Sequence, residues 1–382
     1  MKNSIWLVGF RPFFLLAMVS GIFFPLIWAG FYLNLLSLDV LPFSANVWHA
    51  HEMLYGFGWA ILGGFLLTAS KNWTNTRGLH GSWLVLLTLF WMLDRLIFFL
   101  PAKLSPFLIL FENLFIVSIT SFLVFTLIKN RSQDSFRDNI YFILSLPFFI
   151  VAKNLLLSPE YFQSGVFLSI GLFRLAFAIM FERTLTFFMK KAFGVQILRN
   201  KILDHAIKTF LFISAFQSFL PYPLAGTALL IACLLLFARF IFWYPTKALS
   251  NFGTALSYVS YLGLIVHLLL EALREWNFSI GVGALSIHVF TFITMGFAIT
   301  NMLIRICQGH TGRQIQFVSS DRWAIVMLTL GAVFRLAATQ INSQYYSVWI
   351  GLSAVFWATC FALLGWRLIP FIIRPRIDDR VH

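Results

Sequence analysis

Long apolar runs follow one another along almost the whole chain, separated by short polar or Pro/Gly breaks, and no other feature constrains the fold as strongly. Hydrocarbon offers no partner to a backbone N–H or C=O, so a spanning segment must bond within itself as a helix or close into a barrel. Continuous apolar runs, rather than short alternating strands, select the helix. About 20 residues cross ~30 Å of hydrocarbon at ~1.5 Å per residue. About twelve such segments are expected, at 12–34, 47–70, 82–100, 105–128, 139–157, 165–189, 205–222, 224–244, 253–273, 280–306, 322–340 and 346–372. With 60% hydrophobic and 11% charged residues, little chain remains for a soluble domain. A single all-α polytopic domain over 1–382 is therefore expected. The segments around Pro147 and Pro221 are where a break or re-entrant piece would change the count. The first apolar run continues past Arg11-Pro12 without a small-residue cleavage site, which predicts a retained span rather than a cleaved signal.

The formal charge of +14 follows from topology. With the N-terminus inside, alternate loops collect Lys71, Arg77, Lys129, Arg131, Lys190, Lys191, Arg199, Lys247 and Arg313, whereas the opposite loops hold little beyond Lys103 and Arg274. The positive-inside rule then puts both termini in the cytoplasm. Nucleic-acid binding is not expected, because no soluble basic domain exists to carry it. Cys233, Cys307 and Cys360 stand far apart without a CxxC, which excludes a disulfide framework and a thiolate metal site.

Ionisable groups inside a membrane are costly and mark function. Trp48-His49-Ala50-His51-Glu52 opens the second span, and His288 and His267 lie at comparable depth on the tenth and ninth. Imidazoles grouped in one leaflet are what a buried metal site requires. At ~100° per residue His49 and His51 point to nearly opposite faces, so they share a metal only if that turn unwinds, and otherwise serve two partners. Each histidine could instead hydrogen-bond a neighbouring helix. At the other end, Arg305-Ile306-Cys307-Gln308-Gly309-His310-Thr311-Gly312-Arg313 combines glycines with cations suited to a carboxylate or phosphate, unless the arginines only anchor topology. Arg11 stands on the same side within Phe10-Arg11-Pro12-Phe13-Phe14, which also reads as an interfacial anchor. Arg95, Arg174 and Arg335 fall inside spans and need a carboxylate, carbonyls or a cofactor anion. Asp94 is expected to meet Arg95 only across a bend, since adjacent helical residues diverge. Met295 and Met302 read as packing residues. Glu52, Glu112, Glu182 and Glu271 are too widely spaced in sequence to establish a proton relay.

These motifs resemble the NnrS family of bacterial inner-membrane proteins. The resemblance runs through Phe10-Arg-Pro-Phe-Phe-Leu-Leu-Ala17, Trp48-His-Ala-His-Glu-Met-Leu-Tyr-Gly-Phe57, Gly64-Phe-Leu-Leu-Thr-Ala69, Asn72-Trp73-Thr74 and His288 to Gly309-His-Thr-Gly-Arg313. Two departures stand out. Glu182-Arg183-Thr184 keeps the family's arginine on the sixth helix without its proline, and Tyr258 replaces a histidine early on the ninth. The resemblance implies a haem and copper protein of the nitric oxide response. It implies His49, His51 and His288 as metal ligands, His310 as a ligand or anion contact, and Arg11, Arg305 and Arg313 as the cofactor-binding cations around His310. The expected function is binding of nitric oxide or handling of metal-nitrosyl species. Alternatives are a quinol-linked oxidoreductase reducing nitric oxide or oxygen, and a proton-coupled transporter. No covalent-haem CxxCH or dinucleotide fingerprint is present, so an enzyme would draw electrons from quinol or another membrane donor.

Overall fold

The computed structural model describes residues 4–37, 44–96 and 105–378. Among them every regular element is helical. The long helices are α1 (Phe10–Tyr32), α2 (Ala45–Thr74), α3 (Ser82–Leu96), α4 (Ser105–Lys129), α5 (Arg137–Leu157), α6 (Phe162–Phe193), α7 (Lys201–Ala215), α8 (Tyr222–Phe242), α9 (Phe252–Glu275), α10 (Leu285–Gly309), α11 (Ser319–Ile341) and α12 (Ser343–Ile373). They correspond one for one to the segments expected from the sequence. Ten are long and apolar enough to cross a membrane, while α3 and α7 have 15 described residues each. The two proline-marked segments behave differently. α5 continues unbroken through Pro147, whereas α7 stops at Ala215, followed by a single tight turn at Gln217–Phe219 and then Pro221.

Consecutive helices pack against each other around the bundle, and α1 closes it by lying along α12. α2 and α6 are buried over most of their length and form its centre. The outer helices expose Phe125, Phe237, Val355 and Trp366, side chains that suit a lipid surface and not water. Small residues allow the closest approaches, as expected where lipid competes equally for apolar side chains. Gly165 on α6 is the clearest case: a Cβ there would stand 2.1 Å from the Leu156 backbone nitrogen of α5.

One end of the bundle is tied together through its loops. Gly81 N–H donates to the Trp6 carbonyl, Ser135 N–H to Trp73, the Trp243 indole to Leu198, and Ile377 N–H to Thr311. Arg11 at the start of α1 donates to the carbonyls of Ile372 and Arg374 at the end of α12. Both described ends of the chain therefore lie at this cation-rich end, the one the positive-inside rule assigns to the cytoplasm.

Candidate functional site

α2 and α10 both enter from the opposite, outer end, and each changes its winding just after a histidine. α2 is an α-helix to His51 and then a π-helix over Glu52–Gly58. α10 is an α-helix to His288 and then a π-helix over Val289–Gly296. A third π-helix, Val333–Ala338, carries Arg335 on α11. π-Helical turns are rare, because each inserts an extra residue and breaks the regular ladder, and they concentrate at functional sites. These are the π-helices among the described residues, and all three line one cavity of about 420 Å³.

Its walls are mostly apolar, with Trp28, Phe57, Phe292 and Trp357 among them; its polar and soft groups include His49, His288, Arg335, Tyr346, Met53 and Met295. His49 stacks on Trp28 at 4.4 Å between ring centres, and its buried Nδ1 has no hydrogen-bond partner among the described residues. His288 places Nδ1 2.7 Å from the Ala284 carbonyl, a contact that requires the Nδ1–H tautomer and leaves Nε2 with the lone pair. Arg335 Nη2 lies 3.3 Å from that Nε2, and its Nη1 donates to the Tyr346 hydroxyl at 3.0 Å. Among the described residues no carboxylate lines the cavity. Met295 thus faces a cavity, although the sequence read it as a packing residue.

His51 does not join this site. It faces the opposite side of α2, as the two-residue spacing demands, with Nδ1 2.9 Å from Glu52 and Nε2 3.7 Å from Asp94. Arg95 reaches Glu52 at 2.9 Å and Asp94 at 2.6 Å. Asp94 and Arg95 therefore pair directly, contrary to the expectation that they diverge: a long guanidinium side chain can fold back along the helix surface. Lys153 on α5 completes the cluster, 2.7 Å from Asp94 and donating to the Glu112 carbonyl. Arg95 and Trp91 also cap carbonyls in the α2 π-segment, at Tyr55 and Gly56.

At the cation-rich end, His310 and Arg305 line a second cavity of about 320 Å³ with Phe10, Trp73 and Phe188. The His310 ring packs on Phe10 at 5.4 Å. Burial, and then the charges of Arg376, Lys71 and Arg11, push its pKa down to about 4. Arg11 and Arg313 are not at this cavity. Arg11 is occupied at the α12 terminus, and Arg313 lies over Phe371 at 4.3 Å with a contact to the Thr311 carbonyl. Of the three cations expected around one ligand, only Arg305 lines this cavity with His310, while Arg11 is near enough for its charge to act on the imidazole. His288 and His310 are 22 residues apart along α10 and its end, ~33 Å of helix, so they cannot share an ion. Among the described residues no three His, Cys, Asp or Glu side chains converge in a metal-binding group.

The family model described as NnrS protein matches residues 4–376. The chain belongs to the NnrS family. No curated protein matches it. In this NnrS-family protein the histidine motif of α2 and the Gly309–Arg313 motif of α10 thus serve cavities at opposite ends of the bundle.

Sequence reasoning missed Lys153, and it named Glu182, Glu271, His267 and Tyr258 without their partners. Lys153 sits inside a span with 0% exposure and was not singled out. Glu182 accepts from Lys208 at 3.0 Å, Arg239 at 2.9 Å and Arg199, and Asp204 and Asp138 extend that network. Glu271 accepts from Gln217 at 2.8 Å, which itself accepts from Arg174 at 2.7 Å. His267 is fully buried, placing Nδ1 2.9 Å from the Ser286 carbonyl, and Tyr258 donates to the Trp243 carbonyl. The only local signal was a charged residue within an apolar run, a reason to look for a partner helix without saying which.

Proposed function

We propose that this protein is an inner-membrane haem and copper protein of the nitric oxide response, with its working site in the outer cavity. Family membership supports the biological role, and the convergence of three π-helices on His49, His288 and Arg335 is the observation that carries the site. The residues fit such a group. Imidazole suits both haem iron and copper, thioethers such as Met53 and Met295 suit copper, and a guanidinium such as Arg335, which meets no carboxylate among the described residues, suits a propionate. The volume lies within the ~300–1,000 Å³ usual for small-molecule and cofactor sites. When bound, the metal supplies coordination of nitric oxide.

The chain's own residues prepare the site. His49 presents a buried nitrogen without a protein partner, held in place by Trp28. His288 is fixed as one tautomer by Ala284, and Arg335 guards its Nε2. His288 would hold a metal through Nε2, and Arg335 beside it would hold the cofactor's anionic group. The aromatic walls exclude water, which strengthens every polar contact inside.

A quinol-linked oxidoreductase is the second reading, and one observation favours it. Carboxylates that look isolated in sequence gather behind the cavity as the Glu52, Asp94 and Lys153 cluster, the kind of group that hands on protons. Purified, reduced protein titrated with nitric oxide under anaerobic conditions separates the two. Stoichiometric binding with a shifted haem spectrum and no continuing consumption supports the response protein. Steady consumption driven by a reduced quinol and lost in His288→Ala establishes the enzyme instead.

A further inference from the structure

Three cavities adjoin near the cation-rich end, of about 320, 390 and 30 Å³. The first two share Phe65, Asn72, Trp73, Thr184 and Phe188, and the third continues from Phe65 and Thr184 between Phe14, Phe177 and Ile299 toward the bundle centre. Phe187, 60% exposed on α6, and the exposed Asn72 on α2 stand at the rim of this cleft.

Its electrostatics are one-sided. Arg305 and Arg183 line it, and among the described residues no carboxylate does. Arg305 places only Nε in a hydrogen bond, to Asn301 at 3.1 Å, while its guanidinium lies over Phe188 at 4.0 Å. Arg183 bonds Asp138 at 2.9 Å and Asn139 at 2.8 Å through Nη2 alone, while its guanidinium lies over Trp73 at 4.4 Å and Phe136 at 4.1 Å, faces that meet the charge without accepting from the other N–H groups. Its Nε and Nη1 are buried without partners among the described residues, and the side chain is only 8% exposed. Buried N–H groups without acceptors are rare and costly, so two of them on a cation beside an open cavity call for an acceptor in that cavity. The rest of the cleft is aromatic and aliphatic, and basic pockets between membrane helices on this side suit anionic headgroups.

We propose that this cleft binds an anionic amphiphile, its phosphate or carboxylate against Arg183 and Arg305 and its apolar tail in the slot between Phe14 and Phe177. The site is separate from the outer cavity and does not depend on what the outer cavity holds.

Native mass spectrometry of the full-length protein, delipidated in detergent, tests this with phosphatidylglycerol, palmitate and phosphatidylcholine as probes. Saturable binding of one equivalent of phosphatidylglycerol or palmitate, at least tenfold tighter than phosphatidylcholine, is expected, and the tighter of the two tells phosphate from carboxylate as the natural head. Arg305→Gln should remove most of that preference and Arg183→Gln/Arg305→Gln all of it, while Arg322→Gln, an exposed cation outside the cleft, keeps it. Should Arg183→Gln fail to accumulate because Asp138 is left with Lys208 alone, Arg305→Gln and Phe65→Trp, which fills the shared wall, carry the test alone. Equal affinity for phosphatidylcholine, binding of neither anion, or full binding by Arg305→Gln and Phe65→Trp overturns the proposal.

Discussion

Removing Lys153 is expected to damage the protein more than removing Lys153 and the charge of Asp94 together. Lys153 and Asp94 are 0% and 1% exposed and 2.7 Å apart. Glu52 and Asp94 are matched by Arg95 and Lys153, so the four charges sum to zero with every member buried or nearly so. Lys153→Met has nearly the volume of lysine and leaves one negative charge unmatched. Breaking one partner from a buried pair costs about 3–5 kcal/mol, because the remaining charge stays desolvated. Lys153→Met/Asp94→Asn restores neutrality and should recover all but ~1 kcal/mol, since an isosteric neutral replacement of a buried pair is often close to neutral. The pair should thus show a coupling of at least ~2–4 kcal/mol in a double-mutant cycle, and more by whatever Asp94→Asn costs alone. Heating the four proteins in detergent and following the remaining monodisperse fraction gives the ranking. If Lys153→Met matches wild type, or if the double variant is worse than the single, the cluster is not a charge-balanced unit and the reasoning fails.

Gly165→Ala should prevent proper α5–α6 packing, because a Cβ would meet the Leu156 backbone at 2.1 Å, whereas at Gly309 the nearest atom is 3.7 Å away and Gly309→Ala should be silent; comparing their yields of folded protein checks this. His310 is held neutral in the fold, with its pKa at about 4 against an unfolded value near 6.5. The unfolded chain therefore binds the extra proton first, and metal-free protein should lose stability as the pH falls from ~6.5 toward ~4. His310→Asn should show less of that loss in a thermal series, and an unchanged pH slope would reject the assignment. Reporter fusions after residues 39 and 382 should report opposite sides of the membrane, and the same side for both would break the twelve-span topology.

The spans were legible because hydrophobicity is a property of each segment alone. Even the splitting of His49 from His51 followed from helical periodicity, and the structure sends the first to the outer cavity and the second to the Asp94 cluster. What could not be read was which helix faces which. Lys153 matters because α5 places it against Asp94 of α3, and Glu52 and Glu112 looked isolated for the same reason. Arg11 and Arg313 read as ligand-binding cations, yet nothing local could show that the end of α12 would supply carbonyls to one and a phenylalanine face to the other. The π-segments escaped too, because what meets their backbone comes from other helices: in α2 the Tyr55 and Gly56 carbonyls accept from Arg95 and Trp91 of α3.

Whether the outer cavity is the metal site is measured most directly as the haem and copper content, by pyridine haemochrome and elemental analysis, of purified wild type, His49→Ala and His288→Ala. Wild type should carry metal, and each variant should insert normally yet lose most of the haem or the copper, since losing a ligand weakens a site without removing a span. Metal-free wild type, or stoichiometry unchanged in both variants, would contradict that assignment.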